Sequence, residues 1–317
     1  MTSALVCASH SPLMHCFSKA PKEHEEVKAL FARRAAEVKA FDPELVFAFG
    51  PDHYTSFFRK LAPPFCIGIA AHATADIGGY EGKLNVPEQT ALACTQALQN
   101  SDIDIAVSYD LGIDHGLSQT IVNVCGALDR YPVIPITFNI MTSPLPPFRR
   151  AKAVGDAVGK FAKGLGKRVL FIGSGGLSHN PTVIFPPYGT AEEKITAYQM
   201  LGPHEDQPKL TQWLDHMDSI HREAAVALGS GGITAAECKF NEKLDLEFLD
   251  FVTSGHVEKA DKWKPAELIE EAGIGSVEIY TWIAACSANA AAGGKTPVKD
   301  IYAQTVEYGV ALSMVHA

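Results

Sequence analysis

The stretch RVLFIGSGGLSHNP (168–181) joins an apolar run to a cluster of glycines and a histidine. The apolar run, 168–174, is typical of a buried strand. Glycine loses more conformational freedom on folding than any other residue, so the glycines indicate a sharp turn or a close approach of the backbone. We interpret them as a turn that presents His179 just beyond the end of a strand.

A phosphate-binding loop is the alternative interpretation of these glycines. The segment does not match G-x-x-x-x-G-K-[ST], and it lacks the last glycine of G-x-G-x-x-G. It also follows about the sixth predicted strand, whereas the dinucleotide-binding loop follows the first. The histidine interpretation is therefore preferred.

Along the rest of the chain, apolar runs typical of strands alternate with segments of helical periodicity. Other predicted strands cover 4–9, 45–50, 66–71, 105–110 and 133–139. Predicted helices cover 23–41, 86–99, about 117–128, about 149–163 and 276–293. Alternating strands and helices predict an α/β protein with a central, mostly buried sheet flanked by helices. We expect a single domain over 1–317, with an α/β core at about 1–182 and a mainly helical part at about 190–317.

Composition excludes several classes of protein. The 317 residues are 47% hydrophobic and 20% charged, with a net charge of −9, so neither nucleic acid nor a membrane surface is expected as a partner. No apolar stretch has the length of a membrane span, and the N-terminus lacks the pattern of a secretory signal. The seven scattered cysteines include no C-x-x-C, which suits a reducing compartment. We expect a cytoplasmic enzyme.

Four of the twelve histidines share one sequence context: each lies shortly after a predicted strand. They are His10, His53, His115 and His179. In open α/β sheets, ligands bind in the crevice outside the carboxyl ends of the strands, so these side chains are expected to converge. Two further histidines, His216 and His221, are five residues apart on a predicted helix and are expected to be solvated.

Converging histidines indicate a metal centre. Two imidazoles and one carboxylate on one face of an ion form the facial triad of non-haem Fe(II) oxygenases. The same set could hold Zn²⁺ and activate water, as in a metallohydrolase. Spacing alone does not choose the carboxylate, for which the candidates are Asp52, Asp114, Glu237 and Glu278.

The sequence resembles the class III extradiol catechol dioxygenases. The resemblance is carried over about 1–182 by SHSPL (9–13), FDPELVFAFGPDHY (41–54), PPFCIG (63–68), SDIDIAVSYDLGIDHG (101–116) and KRVLFIGSGGLSHNP (167–181). It thins over 183–235 and returns in NEKLDLEFLDFVTSG (241–255) and SVEIYTWIAA (276–285). A non-catalytic relative of the fold is a further alternative, although a binding module would not need the acid–base histidines.

The resemblance implies a role for each matching residue. His10, His53 and Glu278 match the metal ligands of the family, and the implied metal is Fe(II). His179 matches the acid–base histidine of the family, and His115 matches its second-sphere histidine. Our hypothesis is that His179 is the base that deprotonates the catechol and that His115 is the acid that supplies a proton in the ring-expanding step. Asp114, beside His115, is expected to orient a neighbouring imidazole.

The implied reaction is extradiol cleavage of a 3-substituted catechol by O₂. The expected substrates are 2,3-dihydroxyphenylpropionate or 2,3-dihydroxycinnamate, and the product is a 2-hydroxymuconic semialdehyde type acid. We therefore expect a small aromatic diol and O₂ as partners, and a homo-oligomeric enzyme.

Overall fold

The strands of the protein are built largely from buried apolar runs, as expected for a sheet that is covered on both faces. The computed structural model describes residues 2–181, 193–202 and 210–317. Its strands are β1 (Ser3–Ala8), β2 (Leu45–Asp52), β3 (Phe65–Gly68), β4 (Ala71–Thr74), β5 (Glu81–Lys83), β6 (Ala106–Ser108), β7 (Leu111–Ile113), β8 (Val133–Asn139), β9 (Val169–Ser174), β10 (Val298–Thr305) and β11 (Val310–His316).

The main sheet has eight strands in the order β10-β11-β1-β9-β2-β8-β3-β6. Its four central strands, β1, β9, β2 and β8, run parallel to one another. The carboxyl ends of parallel strands meet at one edge of a sheet, so the segments after β1, β2 and β9 emerge side by side. A separate three-stranded sheet, β5-β4-β7, carries the chain into the segment that contains Asp114 and His115.

Helices cover the sheet and complete the C-terminal part. The helices are α1 (Leu13–Cys16), α2 (His24–Phe41), α3 (Glu88–Gln99), α4 (His115–Cys125), α5 (Phe148–Gly164), α6 (Glu193–Leu201), α7 (Leu210–Ser230), α8 (Glu242–Thr253), α9 (Pro265–Ala272) and α10 (Ile279–Ala292). Short 3₁₀ turns occupy Val257–Lys262, Ile274–Glu278 and Val306–Tyr308. Within the described ranges, no helix has both the length and the apolar character needed to cross a membrane.

Helix α10, which directly follows Glu278, is fixed by its close packing against α5. A methyl group on Gly155 would lie 2.2 Å from the carbonyl oxygen of Ala284, and one on Gly159 would lie 2.2 Å from that of Ala288. Such distances are shorter than any real contact, so only glycine permits this spacing. The sequence thus brings the two helix backbones into direct contact beneath the site.

The predicted α/β class, with its buried central sheet, is confirmed by these elements, and strands lie where 4–9, 45–50, 133–139 and 168–174 predict them. The predicted strands at 66–71 and 105–110 are shorter, because the chain leaves the main sheet after Gly68 and Ser108 to form the small sheet. The C-terminal part is not purely helical, since β10 and β11 follow α10 and β11 pairs with β1. The division of the chain near residue 182 stays a prediction.

Candidate metal centre and acid–base site

The four histidines selected from the sequence lie together at the carboxyl edge of the sheet. The ring centroids of His10 and His53 are 5.5 Å apart, and those of His10 and His115 are also 5.5 Å apart. His53 stacks on His115 at 4.7 Å. His115 follows β7 of the small sheet as the first residue of α4, instead of following the strand predicted at 105–110. The convergence is therefore found, although one histidine arrives from a different strand.

Glu278 lies among these histidines, at the end of the 3₁₀ turn that precedes α10. Its Oε2 is 3.6 Å from His10 Nε2, and its Oε1 is 3.3 Å from His53 Nε2. His179 Nε2 is 3.5 Å from Oε1. The carboxylate is 1% exposed and accepts a hydrogen bond of 2.6 Å from the backbone N–H of Gly176. Glu278 thus touches three of the four histidines.

The other candidate carboxylates are placed differently. Asp52 folds back to accept hydrogen bonds of 2.9 Å from the backbone N–H groups of Thr55 and Ser56. Glu237 is exposed and accepts from Thr234, outside the cluster. Asp114 contacts His53, on the side of that ring away from Glu278. Of the four candidates, Glu278 alone contacts both His10 and His53.

The tautomer of His10 follows from its hydrogen bonds. The Ser174 hydroxyl donates its only hydrogen to the carbonyl of Gly116. It must therefore accept from His10 Nδ1, which lies 3.0 Å away. Because the Nδ1 of His10 carries the proton, its Nε2 presents a lone pair toward Glu278. A neutral imidazole with an open nitrogen is the form that binds a metal ion.

The loop that carries His179 is held by Asp245, an aspartate for which no sequence motif predicts a role. Asp245 accepts hydrogen bonds from the backbone N–H (2.8 Å) and the hydroxyl (2.5 Å) of Ser178. The Tyr302 hydroxyl donates to the same carboxyl group at 3.0 Å. Burial raises the pKa of Asp245 to about 6. His179 itself donates from Nδ1 to the carbonyl of Leu177 at 2.9 Å, so its Nε2 is free to accept a proton when the ring is neutral.

Gly175 and Gly176 allow the backbone to pack closely against neighbouring atoms, and neither residue forms a left-handed turn. Neither Gly175 nor Gly176 has a positive φ. A methyl group on Gly175 would lie 2.9 Å from the carbonyl oxygen of Glu278, and one on Gly176 would lie 2.5 Å from His179 Cε1. A methyl group on Gly275 would lie 2.0 Å from the same carbon. The His179 ring therefore lies in a slot that is lined by two glycines.

We expect Gly275→Ala to lower kcat roughly 100-fold, because the added methyl group displaces His179 and a shift of about 1 Å in a reacting group has effects of that size. Steady-state kinetics would measure the loss. Gly164→Ala is the matched control, since a methyl group there meets no atom within 4 Å. Equal activity in the two variants would show that the slot does not position the imidazole.

Two aspartates support two of the histidines. Asp114 caps α4 by accepting from the backbone N–H of Gly116 at 2.8 Å, and it accepts from the backbone N–H of His53 at 2.8 Å. Its Oδ1 lies 3.2 Å from His53 Nδ1, so Asp114 orients His53 and not the adjacent His115. His115 Nδ1 instead forms a short hydrogen bond with Asp76. No spacing in the sequence pointed to Asp76.

We expect Asp76→Asn to lower kcat by about 10- to 100-fold while bound metal is retained, because the imidazole of His115 loses the carboxylate that fixes its tautomer. Metal content and kcat would be measured on the same preparation. Asp110→Asn is the control, since Asp110 pairs with His72 at 3.0 Å outside the cluster. An unchanged kcat for Asp76→Asn would remove this residue from the site.

The ionisable groups of the cluster shift one another's pKa. Burial lowers the pKa of His10 to about 3, although Glu278 acts in the opposite direction. Burial also acts to lower the pKa of His53, but the carboxylates of Asp114 and Glu278 outweigh it and hold that pKa well above the ordinary value. For Glu278 burial acts to raise the pKa, but His10 and His179 outweigh it and hold the pKa well below the usual range. The site therefore contains an ionised carboxylate beside a neutral imidazole.

The donor atoms fit a metal ion. Ligand atoms about 2.1 Å from one transition metal ion are roughly 3–3.5 Å apart. Each histidine lies at about such a distance from one oxygen of Glu278, His53 Nε2 at 3.3 Å from Oε1 and His10 Nε2 at 3.6 Å from Oε2. Among the described residues, two groups have donor atoms that all lie within 4.8 Å of one another, His10–His53–His115 and Asp76–Asp114–His115. His10 and His53 instead approach different oxygens of Glu278. A buried carboxylate is costly unless it is paired or coordinates a cation, and Glu278 is the more deeply buried partner of His10 and His53.

A cavity of about 510 Å³ opens onto the cluster. Its lining combines the histidines and Glu278 with apolar side chains from several elements, among them Phe58, Ile140, Met141, Trp213 and Leu228. Its size and mostly apolar lining, with a few convergent polar groups, are typical of a small-molecule site. His221, expected to be solvated, is in fact buried at 1% exposure and lines this cavity, because its face of α7 forms part of the wall.

The family profile of the catalytic LigB subunit of aromatic ring-opening dioxygenase matches residues 4–311. The chain belongs to this family, so the predicted membership of the extradiol dioxygenases is confirmed.

Relatives of the chain match it over nearly its whole length. A protein of Azotobacter vinelandii named 2,3-dihydroxyphenylpropionate/2,3-dihydroxicinnamic acid 1,2-dioxygenase is 38% identical, covering 100% of this chain and 99% of the relative. A relative with the same name from Mycolicibacterium gilvum is 41% identical, covering 92% and 90%. One from Pseudomonas putida, whose name differs only by a final numeral 2, is 37% identical, covering 95% and 94%.

Proposed function

We propose that the protein is an Fe(II)-dependent extradiol dioxygenase that cleaves a 3-substituted catechol with O₂. The observation that carries this proposal is the grouping of His10, His53 and Glu278 at a cavity that also receives the imidazoles of His115 and His179. A metal centre alone would suit a hydrolase as well. Two further histidines beside it, each supported through Nδ1, suit a reaction in which protons must be moved.

His10, His53 and Glu278 would hold the metal ion. When bound, ferrous ion supplies one centre at which both catechol oxygens and O₂ are brought together. The protein keeps His10 neutral through burial and through the Ser174 hydroxyl, and it keeps Glu278 ionised through the neighbouring imidazoles. Asp114 holds the ring of His53 in place from the opposite side.

His179 is assigned as the base. A catechol loses its first proton only reluctantly at neutral pH, so a base within hydrogen-bond reach is needed. The Nδ1 proton of His179 is held by the Leu177 carbonyl, so the proton of the substrate can be accepted at Nε2, which faces the cluster.

His115 is assigned as the acid. Its Nδ1 forms a hydrogen bond with Asp76, which fixes the orientation of the ring and leaves Nε2 as the nitrogen that can exchange a proton with the substrate. The proton can therefore be delivered from Nε2 in the ring-expanding step. His115 stacks on His53 and lines the same cavity as His179, which supports this assignment.

The names of the relatives support the choice of substrate, since each names 2,3-dihydroxyphenylpropionate and 2,3-dihydroxicinnamic acid. We propose that the same catechols are the substrates of this protein, giving a 2-hydroxymuconic semialdehyde type acid that contains both atoms of O₂. We also propose a cytoplasmic homo-oligomer. The seven cysteines, all of which are free thiols, support a reducing compartment.

O₂ uptake by anaerobically iron-loaded enzyme, measured across 3-substituted catechols, tests the proposal. We expect O₂ consumption with formation of a yellow ring-opened product, and the propionate-bearing catechol is expected to be preferred. Absence of O₂ uptake with every catechol, together with hydrolytic activity of a zinc-loaded preparation, would replace the dioxygenase with a metallohydrolase.

A further inference from the structure

We propose that Arg59 and Tyr198 bind the side-chain carboxylate of the substrate and thereby select catechols that carry an acidic side chain. This inference rests on the proposed function, because the carboxylate belongs to the substituent at position 3 of the catechol. It concerns a part of the cavity that the ring-cleaving reaction itself does not use.

Arg59 brings a permanent positive charge to the cavity. Among the described residues that line the cavity, Arg59 is the only arginine or lysine. The acidic groups of the lining, Asp76 and Glu278, are already engaged with the histidines. A guanidinium in a largely apolar cavity, in a protein with a net charge of −9, is a specific anchor for an anion and not part of a general basic surface.

The segment that carries Arg59 is fixed to the metal centre. It begins at His53, and Asp52 holds its first turn by accepting from the backbone N–H groups of Thr55 and Ser56. Arg59 donates from Nη1 to the hydroxyl of Tyr54, which donates in turn to the carbonyl of Met141 at 3.0 Å. A guanidinium has five N–H donors in a fixed fork, so it can hold Tyr54 and a carboxylate at the same time.

Tyr198, from α6, adds a donor that no protein group in the described part of the chain satisfies. Its side chain is 1% exposed and lines the cavity, and its hydroxyl has no hydrogen-bond partner there. The ring is held by stacking on Trp213 at 4.2 Å and by an edge contact with Phe58 at 5.7 Å. A buried hydroxyl without a partner is costly, so the site is suited to a ligand that brings an acceptor.

Backbone hydrogen bonding joins the two segments that carry Arg59 and Tyr198, and both side chains line the same cavity. The N–H of Arg59 donates to the carbonyl of Gln199 at 3.0 Å, so the residue that follows Tyr198 is tied to the arginine. Apolar side chains of the cavity, including Ile140 and Met141, suit the carbon chain between a catechol ring and its carboxylate. A planar carboxylate matches the fork of a guanidinium, which favours this anion over a spherical one.

The test compares two substrates with side chains of equal length, 2,3-dihydroxyphenylpropionate and 3-propylcatechol. In the wild type, kcat/KM should be much higher for the acid. Arg59→Met should lower the ratio of the two kcat/KM values roughly 100-fold, the usual effect of losing a charge-assisted hydrogen bond pair. Arg59→Lys should lower it by about 10-fold, since charge remains but the fork is lost, and Tyr198→Phe should lower it by about 5- to 10-fold.

Arg33→Met is the matched control, because Arg33 is exposed on α2, and it should leave the ratio unchanged. Iron content and melting temperature would be recorded for each variant. If Arg59→Met does not fold, Arg59→Lys and Tyr198→Phe decide the matter. An equal loss for both substrates, or a wild type that does not distinguish them, would overturn the inference while leaving ring cleavage established. A wild type that cleaves neither catechol would instead overturn the proposed function.

Discussion

Replacing His53 with alanine is expected to remove bound iron and ring cleavage together. His53 Nε2 lies 3.3 Å from Glu278, and Asp114 contacts the ring from the other side, so alanine removes one donor atom of the proposed metal centre. Loss of residues that merely orient metal ligands costs about 10- to 100-fold in affinity or activity, so loss of a ligand should exceed 100-fold. Iron per chain and O₂ uptake would be measured on protein purified anaerobically.

The control for this variant is His256→Ala, which removes an exposed histidine that pairs with Glu258 away from the site. It should retain iron and activity. His10→Ala should behave as His53→Ala does. A His53→Ala protein with a full complement of iron and normal turnover would exclude this residue from the metal centre.

Replacing His179 with alanine is expected to separate metal binding from turnover. Iron should remain, because His10, His53 and Glu278 are intact, but kcat should fall by about 10²- to 10⁴-fold, the usual contribution of a general base. His115→Ala should give a loss of the same order, since it removes the acid. For each variant, iron content would measure metal binding and kcat would measure turnover.

His179→Gln distinguishes loss of the proton acceptor from loss of the hydrogen bond to the Leu177 carbonyl. Glutamine can still donate a hydrogen bond to the Leu177 carbonyl but cannot accept and return a proton at neutral pH. It should therefore lose nearly as much kcat as His179→Ala, while its melting temperature stays closer to that of the wild type. Normal kcat in His179→Ala and His115→Ala would contradict both assigned roles.

The main sheet could be predicted because its central strands are buried apolar runs. VLFIGS and LVFAFG contain enough consecutive apolar residues to identify a strand without any partner. The strands of the small sheet have only three or four residues each, some of them glycine, and give no such signal. β10 and β11 are not predicted because they follow a long region of helical periodicity, although VALSMVH is itself an apolar run.

The histidines of the site could be predicted for a geometrical reason, since the carboxyl ends of parallel strands meet. Glu278 and the two catalytic roles came from the resemblance. The supporting groups could not be found in this way: Asp76, Ser174 and Asp245 reach their histidines or loops from separate elements, with no fixed spacing along the chain. Arg59 likewise has no signal in the sequence, since only the lining of the cavity draws attention to it.

The contact between α5 and α10 has a consequence for how the activity can be lost. A methyl group at Gly155 or Gly159 would clash with the peptide backbone of α10, and no second mutation can make a backbone smaller. Any larger residue must push the two helices apart, and we expect that motion to be transmitted through the 3₁₀ turn ahead of α10 to the carboxylate of Glu278. Random mutagenesis should thus recover inactive proteins with substitutions at Gly155 or Gly159, although neither residue has a side chain that could take part in the reaction. Compensating substitutions on α10 should be absent.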